Sequence, residues 1–189
     1  MPAEMYLPNF VVKQKLTMMV NRYEVSESDE AGNPTRLMAF AEQKRLAFKE
    51  QVTFWTGPDR QRAVFGFKAR KKLDLNAGYD VTDEGGAQIG FFRKDFGASL
   101  LRSTFHVEGP GYTGTGRERN QVVGLLRRFT ELDFIPIHFD FVDPAGNALF
   151  SVERTMSIGD RYRVSVPDDR VDFRVAAAVA VALDALMSR

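Results

Sequence analysis

The chain has 189 residues, 44% of them hydrophobic, with 26 Lys and Arg against 25 Asp and Glu. That is the size and composition of one globular domain with a sizeable core, and so balanced a charge does not call for a nucleic-acid partner. Without cysteine there is no disulfide, thiolate nucleophile, iron–sulfur cluster or Cys-type zinc site, which fits a reducing, cytoplasmic setting.

The opening "MPAEMYLPNFVVKQK" has an early acid and proline and no long apolar run, so it does not read as a secretion signal. "FVVKQKL" (Phe10–Leu16) reads as a strand. Three later stretches then share one grammar: "YEVSESDEAGN" (Tyr23–Asn33), "YDVTDEGGA" (Tyr79–Ala87) and "FDFVDPAGN" (Phe139–Asn147). In each, apolar alternation runs into acidic turn residues and Gly, and a second apolar segment follows. These are β-hairpins. A fourth hairpin, "VTFWTGPDRQRAVFGFKA", turns at Gly57-Pro58-Asp59. "EGPGYTGTGRERN" (Glu108–Asn120) is Gly-rich and reads as a flexible connection. After it, "NQVVGLLRRFTEL" has Asn120 as a cap and Val122, Leu125, Leu126 and Phe129 at helical spacing, predicting an outer helix over about 120–130. In "RYRVSV", Tyr162, Val164 and Val166 face one way while Arg161, Arg163 and Ser165 face the other.

The last segment, "RVAAAVAVALDALM" (Arg174–Met187), is helical in character yet has almost no polar side. As a helix it would reach roughly 20 Å, against roughly 30 Å of hydrocarbon in a bilayer, and Asp184 interrupts it. A helix that is apolar all round is otherwise a buried one. Pro167 ends the strand before it, and Asp168, Asp169 and Asp172 offer caps. Many amphipathic strands need a closed or sandwiched sheet, and a closed one needs a filled interior. The expected fold is therefore mainly β: a closed antiparallel barrel around a buried C-terminal helix over about 171–187, in one domain spanning 1–189.

"VVKQKL", "YDVTDEGGAQIGFFRK", "SLLRSTFHV" and "DRYRVSVPDDRVDFRVAAAVAVALDAL", in that order, resemble the Tubby C-terminal-like superfamily, in its LURP-one-related and phospholipid-scramblase-like branch. The resemblance implies twelve strands around a central hydrophobic helix. It also implies a range of roles, from phosphoinositide binding to lipid movement and calcium, with no established role for many relatives.

The candidate sites follow from charge. In "FKARKK", Lys68 and Arg70 share a strand face and Lys71 and Lys72 follow, close enough to hold a phosphate or an anionic headgroup. Arg127 and Arg128, with Arg117 and Arg119 nearby, form a second basic patch. The competing expectation for both is a solvated outer face. For calcium, Asp160, Asp168, Asp169 and Asp172 supply oxygens where the scramblase tail is resembled, but Arg161 and Arg163 occupy early ligand positions and no central Gly is present. Helix capping is the stronger expectation, and no cofactor is implied. His106 and His138 are the two histidines, and neither Gly-x-Ser-x-Gly nor His-Glu-x-x-His occurs, so the chain does not read as an enzyme. Asp184 on a buried helix needs hydrogen bonds or an Arg from the barrel wall, a structural role. The sequence thus points to a non-enzymatic barrel that docks on anionic phospholipid headgroups or phosphorylated ligands, a phosphoinositide-like ligand among them, peripheral to the membrane and without a transmembrane segment. The alternative is an interaction or scaffold domain for an unidentified protein partner.

Overall fold

The computed structural model describes residues 5–16, 20–44, 51–71, 78–95, 104–119, 138–155 and 161–187. Its strands are β1 (Asn9–Leu16), β2 (Val20–Ser28), β3 (Pro34–Lys44), β4 (Gln51–Trp55), β5 (Ala63–Ala69) and β6 (Tyr79–Asp83). They continue as β7 (Gln88–Asp95), β8 (Thr104–Gly109), β9 (Tyr112–Glu118), β10 (His138–Val142), β11 (Ala148–Thr155) and β12 (Arg161–Ser165). One helix, α1 (Phe173–Met187), follows. Each strand pairs antiparallel with its neighbour in sequence, and β1 pairs with β12 to close the barrel. This is the closed antiparallel barrel with a C-terminal helix that the sequence predicts, and it has twelve strands.

Side-chain alternation explains the closure. In β12, Tyr162 and Val164 are buried while Arg163 and Ser165 are exposed, and the same in–out rhythm runs round the wall. The inward residues are largely aromatic. Phe54 stacks on Phe65 and Phe141 on Phe150, each at 4.2 Å between ring centroids. Phe173, at the start of α1, wedges edge-on against Phe10 and Phe65. Outward positions such as Lys15, Glu24, Arg22 and Glu42 carry charge and pair across strands. That is the reverse of the apolar outer band by which membrane-spanning barrels meet lipid. Among the described residues no helix is long and apolar enough to cross a membrane.

The three sequence repeats become three copies of one turn. Asp29, Asp83 and Asp143 each bond through their backbone N–H to the carbonyl four residues on, and each accepts through Oδ1 the N–H of that same residue. The Gly before it (Gly32, Gly86, Gly146) has φ near +80 to +90°, where side chains are disfavoured. These turns lie at one rim, where α1 enters. There Arg170 donates to the Gly111 carbonyl at 3.1 Å, and Arg174 lies 3.6 Å from Glu84.

From residue 173 to 184 every side chain of α1 is buried. Its alanines keep it thin, and the wall makes room as well. A Cβ on Gly90 would lie 2.6 Å from Val175 Cγ2 and 3.1 Å from the Glu108 carbonyl. Gly90→Ala should therefore cost about 1–3 kcal/mol in urea unfolding, and Val175→Ala in the same chain should recover part of that loss. An unchanged midpoint for Gly90→Ala would contradict this fit.

One expectation fails. The Gly-rich run at Glu108–Asn120 is not a flexible connection: β8 ends in it, turns at Pro110–Gly111, and β9 follows. Gly114 and Gly116 hold inward positions where a Cβ would strike Leu149 and Phe141. Glycine here leaves room for bulky neighbours. The predicted outer helix at about 120–130 falls outside the described residues.

Candidate functional site

From residue 173 to 184 α1 is packed against the wall, and the exposed charged side chains lie on the outer face of the barrel. β5 rises from the turn rim to the opposite rim, and Lys68 faces outward there, in register with Gln51 on β4 and Asp80 on β6. Arg70, just past the strand, donates from Nε and Nη2 to Asp80 Oδ1 at 2.9 and 2.7 Å. Its guanidinium carbon also lies 4.0 Å from the centroid of the Phe91 ring. The Asp80 bond raises the Arg70 pKa further above its already high ordinary value. Lys71 is exposed, and Lys72 lies outside the described residues, as do Arg127 and Arg128.

The barrel brings other cations to the same side. Arg93 on β7 and Arg117 on β9 point outward in the same half, with His106 of β8 between them. Arg119 follows β9 and clamps Asp140 of β10, with Nη2 to Oδ1 at 2.6 Å and Nε to Oδ2 at 2.7 Å. That clamp holds the Asp140 carboxyl below its ordinary range. Across β5–β9, in the half away from the turns, lie the cations Lys68, Arg70, Lys71, Arg93, Arg117 and Arg119, with the carboxylates Asp80, Asp95 and Glu118 among them and Asp140 beside them on β10. Lys68, Lys71, Arg93 and Arg117 have no carboxylate within ion-pair distance among the described residues. These are five of the twelve strands in the wall.

A groove of about 630 Å³ crosses the band over β7–β10, lined by Arg93, His106, Thr115, Arg117 and Asp140, with Val142 at its apolar end. His106 Nε2 lies 3.7 Å from Asp95 Oδ2. His138 Nε2 is 3.3 Å from Asp140 Oδ1 without the geometry of a hydrogen bond. No hydroxyl completes a catalytic triad at His138 among the described contacts.

The acidic candidates at the helix entry are otherwise engaged. Asp168 accepts from the Arg170 N–H and guanidinium, and Asp172 from those of Arg174. The Asp172 carbonyl also accepts the N–H of Val175 and of Ala176, so it starts α1 as the sequence predicts. Asp169 is exposed and Asp160 lies outside the described residues. Among the described residues no three His, Asp or Glu side chains converge as a metal-donor set.

Asp184 does find partners on the wall. It accepts from Gln14 Nε2 at 2.6 Å, from the Tyr23 hydroxyl at 3.0 Å and from the Tyr162 hydroxyl at 2.5 Å. Burial, and then the Asp184 charge, push the Tyr23 phenol far above its ordinary range, so it remains a donor.

No protein-family model matches the chain, and no curated protein matches it. Among solved structures, a porin-like protein from Bacteroides uniformis is similar at a TM-score of 0.23 and 9% identity, over 84% of this chain and 96% of that one. A likeness that slight carries no inference about fold or role.

Proposed function

We propose that the barrel is a non-enzymatic binding domain that docks on anionic phospholipid headgroups, or on phosphorylated ligands at a membrane surface, through the β5–β9 band. The observation that carries this reading is the set of four outward cations, Lys68, Lys71, Arg93 and Arg117, left without carboxylate partners on one side of the wall. Occupation of the interior by α1 directs attention to that outer surface. The resemblance to Tubby-like proteins, with the phosphoinositide binding it implies, is in keeping with it, as is a cytoplasmic, peripheral location. Near an anionic surface each such cation contributes about 1 kcal/mol, so four give about a thousandfold in partitioning.

Vesicle flotation tests this. The protein should float with phosphatidylserine-containing vesicles and stay behind with phosphatidylcholine, and 0.5 M salt should weaken the association. Replacing Lys68, Lys71, Arg93 and Arg117 by Glu should abolish flotation while melting is unchanged. Equal association with both vesicles would remove the reading. The alternative, a scaffold for a protein partner, draws support from the β3–β4 seam. There Phe40–Trp55 and Ala41–Phe54 are the pairs among the described residues, and Leu37 on β3 is 41% exposed. A thinly paired seam flanked by an exposed apolar side chain is a surface that an extended peptide could cover.

A further inference from the structure

We propose that the β7–β10 groove holds a single tetrahedral oxyanion between Arg93 and Arg117, seated on Thr115 and His106, and holds it more tightly as His106 takes up a proton. The proposal rests on the anion-binding reading above and narrows it from a charged surface to one site. The register supplies the geometry. Arg93 is paired with His106, His106 with Thr115, and Arg117 stands opposite Thr104, two residues before His106. All four proposed contacts therefore lie on one outer face of three adjacent strands, within about 10 Å across the sheet. Two guanidinium groups, a hydroxyl and an imidazole N–H are donors that a phosphate or sulfate oxygen accepts.

Four acids line the groove, Glu108, Glu118, Asp140 and Asp143, and two of them are engaged elsewhere. Asp140 is clamped by Arg119, and Asp143 is held by the N–H groups of its own turn. The groups around His106 set the coupling. On β7 these are Arg93 and Asp95, on β9 Thr115 and Arg117, and on its own strand Glu108. An anion between the arginines relieves their repulsion, so protonation and anion binding each favour the other. Imidazole changes charge between about pH 5 and 8, and affinity should rise as pH falls through that window.

The probe is inorganic sulfate, whose charge does not change over this range, titrated into the full chain at constant ionic strength. Saturable binding is expected, about tenfold tighter at pH 5.5 than at pH 7.5. Arg117→Gln should weaken it at least tenfold at both pH values. His106→Gln should leave weak binding that no longer varies with pH, whereas His138→Gln should keep the native pH dependence. Matching thermal melts establish that each variant is folded. Failure of sulfate to saturate, or a pH dependence that survives in His106→Gln, would overturn the proposal. If phosphatidylserine vesicles still bind in that case, the surface reading stands without the groove. Phosphatidic acid vesicles separate the sources of the oxyanion. Displacement of the protein from them by sulfate assigns the seat to a lipid phosphomonoester, and sulfate binding without displacement assigns it to a free oxyanion.

Discussion

A chain ended at Asp172 should show no cooperative melting transition. It retains every strand, but the barrel interior then has nothing to pack against. Phe173, Val175, Val179, Val181 and Leu183 are all buried. At about 1.5–3 kcal/mol for each large apolar side chain, these five contribute roughly 7–15 kcal/mol. Net stability for a domain is only about 5–15 kcal/mol, so the loss is comparable to the whole. The truncated protein should bind a hydrophobic dye and lose its near-ultraviolet dichroism. Calorimetry showing a single sharp transition in that chain would mean that the strands hold themselves together, and the role assigned to α1 would be wrong.

Asp184→Ala should destabilise the chain more than Gly90→Ala or Tyr162→Phe. It leaves the Gln14 amide and the Tyr23 and Tyr162 hydroxyls, all buried, without the carboxylate that accepts from them. Removing one side of a buried charged cluster costs about 3–5 kcal/mol, which for a domain of this size lowers the melting temperature by about 10 °C or more. Asp184→Asn keeps one acceptor oxygen but turns an amide N–H toward donors, and should lose about half as much. Tyr162→Phe should cost about 1.5–3 kcal/mol, the range for a hydrogen bond to a charged group. The double variant Tyr162→Phe, Asp184→Asn should lose less than the sum of the two, because both changes act on the same contact. If Asp184→Ala unfolds within about 0.5 kcal/mol of the native chain, the cluster does not position the helix.

The parts of the fold that were legible in the sequence are those where side chains carry the pattern. The helix has no polar side, and the Asp-to-Gly turns repeat almost residue for residue, so both can be read from the chain. Strand β9 could not be, because Gly114 and Gly116 stand where apolar side chains would mark the inner face. What makes them glycine is the bulk of Leu149 and Phe141, which belong to other strands. The binding wall was legible in part. Lys68 and Lys71 lie in the band, but the alternation that groups Arg70 with Lys68 does not reveal that Asp80 and Phe91 hold it. Arg117 stands out beside Arg119 in the sequence, but its nearness to Arg93 comes only from the pairings of β7, β8 and β9.

Closure of the barrel through β1 and β12 has a consequence for biosynthesis. The first strand to leave the ribosome must wait for the last, and the core that both surround is made later still. Until then the nascent chain exposes aromatic strands with no final partner, a state prone to aggregation and slow to resolve because its decisive pairings are distant in sequence. Folding should therefore complete only once α1 has been made and has left the ribosome, and a chain stalled before α1 should depend on a chaperone to stay in solution.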